Sequence, residues 1–259
     1  MNKFDKALKV LWFVNGIIIL VLVSIATYRL ISELFPKPYE RVVNDIIVGE
    51  RLEEAKEKGL ALQGLVYRQP EVIYNSTDQY IEVSAKTYEE AKVLALGFSS
   101  AGDYSPALYG AMNVIFINKD YEVIRTLLKR KADIREWKFA RPDNGNKKEP
   151  DLSVQNIAYE IAFEDTNRDG LLNDKDHHEL YISGLTGENL TQVTTGLDVD
   201  SFDFENKNSQ LFITYFERTD ERQEHKRKKF AIYTIATKEF RKLEDLDKTI
   251  NKLESQLVN

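Results

Sequence analysis

One stretch of this chain combines residue types and spacing that suit chemistry. Asp165, Asn167, Asp169, Leu171, Asn173 and Asp176 fall at places 1, 3, 5, 7, 9 and 12 of a twelve-residue run, with Gly170 at place 6. Carboxylates, carboxamides and one backbone carbonyl, that of Leu171, are hard oxygen donors. Ca²⁺ collects six to eight such oxygens. Gly170 stands where the chain must turn sharply and a side chain would obstruct it. Leu172, at place 8, is apolar and can pin the run to a core. A second reading stays open: a solvated Asp/Asn/Gly hairpin turn that holds no metal. His177 and His178 follow directly. Imidazole is a poor partner for calcium, and the chain has no cysteine, so no zinc site is expected.

This ligand pattern resembles the EF-hand loop. The resemblance implies Asp165, Asn167, Asp169, the Leu171 carbonyl, Asn173 (through water) and Asp176 as ligands to Ca²⁺. The family ends the loop with a bidentate Glu, and Asp176 is one carbon shorter. Weak binding is therefore expected, roughly 10⁻⁴ to 10⁻³ M, the range of extracellular modules. The flanks do not read as helices. Ile157, Tyr159, Ile161 and Phe163 alternate with Ala158, Glu160, Ala162 and Glu164, and Glu179 to Ile182 also has strand character. That period of two places the loop between two strands.

The elements that must position the loop begin at a membrane. Residues 10–31 are almost wholly apolar, long enough to cross a hydrocarbon core of about 30 Å. Trp12 and Tyr28 stand near the two ends, where amphipathic rings favour the interface. The stretch runs into Tyr28-Arg29-Leu30-Ile31 with no small-x-small cleavage site, so an uncleaved anchor is expected. Lys3, Lys6 and Lys9 precede it and Arg29, Lys37 and Arg41 follow it, a tie in flanking positive charge. A weak calcium loop fills only where calcium is millimolar. The expectation is thus a cytoplasmic tail over residues 1–9 and an exported C-terminal domain, periplasmic or extracellular.

Pro36 and Pro38 break the first helix, and Tyr39 to Lys58 reads as a second helix, a stalk or a helix lying against the domain, ending near Gly59. Residues 32–59 are therefore taken as linker and stalk. Residues 60–243 form a β-rich domain. Its candidate strands are short runs such as Tyr80–Ser84, Lys92–Phe98, Asn113–Asn118, Gln155–Phe163, Gln210–Phe216 and Phe230–Ala236, separated by Asn/Asp/Gly/Lys turns. Aromatic residues make up 11% of the chain, which suits strands. Residues 244–259 read as a C-terminal helix. Leu243, Leu246, Ile250, Leu253 and Leu257 step by three and four, a short heptad seam. That seam packs on the domain itself or on another subunit.

A half-repeat recurs within the β region. Asn113 to Leu127, Leu180 to Thr191 and Ile232 to Leu243 each read as strand, polar turn and strand, with Phe202 to Ile213 as an intervening hairpin. This resembles the TolB-type β-propeller repeat and covers roughly Ala111 to Leu243. The resemblance implies an all-β, propeller-like fold with irregular blades. A β-sandwich is the alternative fold.

A net charge of −6 argues against nucleic acid as the main partner. The basic run Glu221 to Lys229 reads as a solvated hairpin tip. Gly97 to Gly102 breaks the G-x-S-x-G spacing of a nucleophile elbow, and no phosphate loop or H-E-x-x-H is present. Expected, then, is a non-enzymatic binding or assembly protein. It meets the membrane through one N-terminal helix, and a protein partner or a second copy through its other surfaces. An accessory subunit of a larger membrane complex and a tethered glycan-active hydrolase are the alternatives.

Overall fold

The computed structural model describes residues 12–25, 27, 45–59, 63–87, 110–142, 151–218 and 227–258. The chain divides into two compact units, Met1–Arg41 and Val42–Asn259.

In the first unit, residues 12–25 form helix α1. Trp12, Ile17, Leu20 and Val23 are all exposed, so apolar groups face outward around the helix. Ser24 and Thr27 donate their hydroxyls to the Leu20 and Val23 carbonyls, each at 2.8 Å, which satisfies them without water. Among the described residues no helix is long and apolar enough to cross a membrane. Residues 10, 11, 26 and 28–31 of the expected span lie outside the described residues.

The second unit opens with strand β1 (Ile46–Ile47) and helix α2 (Gly49–Glu57). Three antiparallel meanders follow in chain order. The first comprises β2 (Gln63–Tyr67), β3 (Glu71–Val72), β4 (Gln79–Thr87), β5 (Asn113–Ile117) and β6 (Val123–Thr126), in the order β2-β4-β5-β6 with β3 also on β4. The second contains β7 (Asp133–Phe139), β8 (Asn156–Ala162), β10 (Glu179–Gly184) and β11 (Thr191–Gln192), in that spatial order. Strand β9 (Leu171–Leu172) leaves this sheet and pairs with β1. The third is β12 (Leu197–Glu205), β13 (Gln210–Glu217), β14 (Lys229–Thr234) and β15 (Glu239–Lys242). Helix α3 (Glu244–Val258) ends the unit.

The expected all-β character is thus present. The described strands form separate open sheets, and no sheet closes into a barrel among them. The three repeated segments occupy equivalent places, the last hairpin of each meander: β5–β6, β10–β11 and β14–β15. The intervening segment is the β12–β13 hairpin, whose turn puts Asn206, Lys207 and Asn208 all at positive φ. The expected strand Lys92–Phe98 and the Gly97–Gly102 segment lie outside the described residues, as does most of Glu221–Lys229.

Side-chain alternation explains how the meanders stack. Strand β8 is buried on both faces. Its odd residues Ile157, Tyr159 and Ile161 join Val114, Phe116 and Ile134 in one core. Ala158 points the other way and joins Leu180, Leu211, Ile213 and Tyr215 in a second core. A strand covered on both sides reads as near-continuous burial, as here. The middle sheet is therefore held between its two neighbours.

The stalk expectation needs correction. Tyr39–Lys58 is not one helix: Ile46–Ile47 is extended and only Gly49–Glu57 is helical. Gly49 has φ +63, which starts the helix abruptly, and Gly59 at φ +64 ends it. Ile46 and Ile47 are β-branched, favour extended backbone, and are 1% and 2% exposed. Pairing with β9 outweighs the helical pattern around them. Ile46–Glu57 belongs to the β unit.

Candidate metal centre

The Asp165–Asp176 run connects β8 to β10, between strands as expected. Its backbone is folded by its own side chains. Asp165 accepts the Asp169 N–H through Oδ1 at 3.2 Å and the Gly170 N–H through Oδ2 at 2.9 Å. Asn167 Oδ1 accepts the same Asp169 N–H at 3.0 Å, and its Nδ2 donates to Asp169 Oδ2 at 3.1 Å. Asp169 Oδ1 accepts the Leu171 N–H at 2.9 Å. Asp165 and Asn167 thereby share the Asp169 N–H, while the Asp169 carboxylate accepts from Leu171 and Asn167. Gly170 has φ +81 and open space where a Cβ would stand, so backbone conformation, not room, requires glycine.

The other three expected ligands are placed differently. Val48 N–H donates to the Gly170 carbonyl at 3.1 Å. Antiparallel ladders bond at alternate pairs, so Ile47 faces Leu171 as a non-bonded pair. The Leu171 carbonyl is left out of the ladder. Asn173 is 1% exposed, accepts the Lys175 N–H at 3.0 Å and donates to Asp45 Oδ1 at 2.7 Å. Asp176 is 4% exposed. Its Oδ1 accepts from Thr166 N–H (2.7 Å) and Thr166 Oγ1 (3.0 Å), and its Oδ2 accepts the Asn173 N–H at 2.9 Å. Asp176 thus clamps the two ends of the loop together.

Against Ca²⁺ the set divides. Asp165, Asn167, Asp169 and the Leu171 carbonyl suit a hard cation. Asn173 and Asp176 already serve N–H donors. Asp174 Oδ1, in the same loop, is buried and meets no hydrogen-bond donor among the described residues. Among the described residues no three His, Cys, Asp or Glu side chains form a metal-holding group.

The loop is anchored from two sides that its spacing did not disclose. Leu172 is buried at 2% exposure and packs with Ile46, Ala85 and Ala162. Gln63 accepts the Ile47 N–H at 2.8 Å and donates to the Asp45 carbonyl, tying β1 to β2. Just beyond the loop, His178 is 1% exposed. Its Nδ1 lies 2.8 Å from the Asp176 carbonyl and its Nε2 2.9 Å from Asp133 Oδ2. A carbonyl can only accept, so Nδ1 donates to Asp176. His178 is a buried strut. His177, largely exposed, pairs with Asp198 at 2.7 Å, and Asp198 also holds Arg218 at 2.9 Å. A short β-branched run such as Ile46–Ile47–Val48, with an Asp before it, was the available sequence signal for β1.

Two buried glutamates lie on the strands that carry these elements. Glu160, on β8, is 1% exposed, and burial pushes its carboxyl above the usual range although Arg135 at 2.7 Å pulls it down. Glu82, on β4, is raised by burial in the same way, with Arg68 opposing. No protein-family profile, curated protein or solved structure matches this chain.

Proposed function

We propose that this chain is a membrane-anchored binding or assembly protein, non-enzymatic, whose β unit is exported and whose Asp165–Asp176 loop binds Ca²⁺ weakly. The observation that carries the reading is the junction of loop and N-terminal segment. The β1–β9 ladder and the Asn173–Asp45 hydrogen bond tie the residues that follow the apolar segment to the same loop that gathers Asp165, Asn167 and Asp169. A cation there would stiffen the edge of the β unit where β1 pairs with the loop. The orphaned Asp174 oxygen is a further hard oxygen donor in that loop. Three face-packed meanders, each ending in the recurring hairpin, support a propeller-like arrangement over a two-sheet sandwich.

The test is thermal unfolding of the full chain in mild detergent with calcium or with chelator. For a dissociation constant of about 1 mM, about 10 mM calcium adds about 1.4 kcal/mol of stability. That corresponds to a rise of roughly 3–6 °C for a unit of this size. No rise, or an equal rise in the Asp165→Ala, Asp169→Ala double variant, counts against the calcium reading.

A second reading, docking to another subunit, is favoured by α3. Its seam becomes more open along its length: Leu246 is 37%, Leu253 55% and Leu257 88% exposed. A native mass measurement in detergent distinguishes a monomer from an assembly.

A further inference from the structure

We propose that the cleft between the second and third meanders binds an uncharged, hydroxyl-rich ligand: a saccharide. The cleft lies at the far end of β8 and β10 from the calcium-type loop, closed on the other side by β14 and its turn into β15. Its volume is about 550 Å³. Small-molecule sites fall at about 300–1,000 Å³.

The lining is dominated by neutral amide and hydroxyl groups, among them Asn156, Ser183, Thr191 and Tyr233. Asn156 Nδ2 donates to the Ser183 carbonyl at 3.2 Å, which orients the carboxamide and leaves its Oδ1 uncommitted among the described residues. Ser183 is fixed by Tyr159, whose hydroxyl stands 3.0 Å away. Tyr233 is 3% exposed and lines the cleft, yet its hydroxyl has no hydrogen-bond partner among the described residues. The hydroxyl tip is the part of this ring that opens to solvent in the cleft, where a ligand hydroxyl would pair with it.

Two charges complete the wall. Glu188 Oε2 accepts from Thr186 N–H at 3.0 Å and from Thr186 Oγ1 at 2.7 Å. Burial raises this carboxyl, but those hydrogen bonds, its own N–H and nearby Arg125 outweigh it and hold it below the usual range. It therefore stays an ionised acceptor. Its Oε1 sits where a Cβ on residue 184 would be, 1.9 Å away, so Gly184 makes the room for it. Lys238, in the β14–β15 turn at φ +56, is the cation of the lining. One anion and one cation nearly cancel, and the anion is already hydrogen-bonded. What the wall offers beyond them is neutral donors and acceptors beside Ile182 and Ile235. Vicinal hydroxyls on an apolar ring face match that mixture, and a highly charged ligand does not. Hydrolysis of a glycoside calls for a second carboxylate across the pocket. Glu188 is the only carboxylate among the described lining residues, so the cleft is built for binding. This site stands apart from the calcium and anchoring readings and survives their failure.

The test titrates the full chain, in a detergent without a sugar headgroup, with neutral cello-, chito-, malto- and manno-oligosaccharides, followed by saturation-transfer NMR and calorimetry. At least one series should bind saturably. Tyr233→Phe should weaken that binding about tenfold at unchanged melting temperature, since it removes one hydroxyl that has no protein partner. Ile235→Trp should block it by filling the cleft. The proposal is overturned if no oligosaccharide binds at millimolar concentration, or if binding ignores both substitutions. It is equally overturned if a peptide with a free carboxylate binds through Lys238, lost in Lys238→Asn, while no saccharide does.

Discussion

Two regions at opposite ends of the β8–β10 strand pair are built on different principles. The Asp165–Asp176 loop folds on itself: most of its side-chain hydrogen bonds run between residues two to five apart. The cleft at Asn156 and Ser183–Glu188 draws its walls from β8, β10, the β10–β11 turn and β14 of a different sheet. The first is a local structure that tertiary contacts only fasten down. The second exists only because two meanders face each other. The difference teaches where sequence patterns carry information: a loop that satisfies its own polar groups must encode them at fixed spacing, whereas a cleft need not.

The comparison is broken most directly at the loop's fastening. Leu172→Ala removes the side chain that seats β9 on Ile46 and Ala85, and should destabilise the β unit by about 2–5 kcal/mol in denaturant titration. A loss near zero would mean the loop stands without its tertiary anchor. Asp176→Ala comes next. It strips acceptors from the Thr166 and Asn173 N–H groups, the latter buried, and should cost about 1–3 kcal/mol even in chelator. Asp169→Ala, at an exposed position, should cost much less in chelator and act chiefly on the calcium response. Equal losses from the two would erase the distinction between clamp and ligand. At the other end, Tyr233→Phe should leave stability nearly untouched while weakening saccharide binding, read by calorimetry.

The smallest effect concerns pH and the strands between the regions. Glu160 and Glu82 are held above their ordinary value of 4.5, chiefly by burial. A carboxyl raised in the folded state contributes stability that is whole below that value and is lost as pH rises through the raised one. Glu188 and Glu217 are lowered: stability from them is present above 4.5 and is lost as pH falls through their lowered values. Stability should therefore decline modestly as pH rises above the ordinary glutamate range. Glu160→Gln should flatten that decline, followed by melting temperature across pH. An unchanged slope would mean that Glu160 is ionised at little cost, through Arg135.

Much of the β unit was legible because its signals are short-range. The period-two alternation of Ile157, Tyr159 and Ile161 specified β8, and the recurring strand–turn–strand segments fell on three equivalent hairpins. The seam of α3 was likewise visible as spacing. Ile46–Ile47 was misread, because a helical pattern on either side concealed two residues whose partner, Leu171–Leu172, lies far downstream. Nothing near His178 in the chain pointed to Asp133 as its partner.

The sequence by itself determined the twelve-residue loop, the hairpins and the apolar helix, since each depends on neighbours within a turn or a strand: Asp165 must meet the Gly170 N–H whatever surrounds them. The tertiary structure alone decided that β1 leaves the helical segment to pair with β9, that β8 is buried on both faces, and that Tyr233 comes to face Ser183 across a cleft. Those outcomes turn on burial of apolar surface between segments far apart in the chain. That driving force is non-directional and leaves no fixed spacing to read.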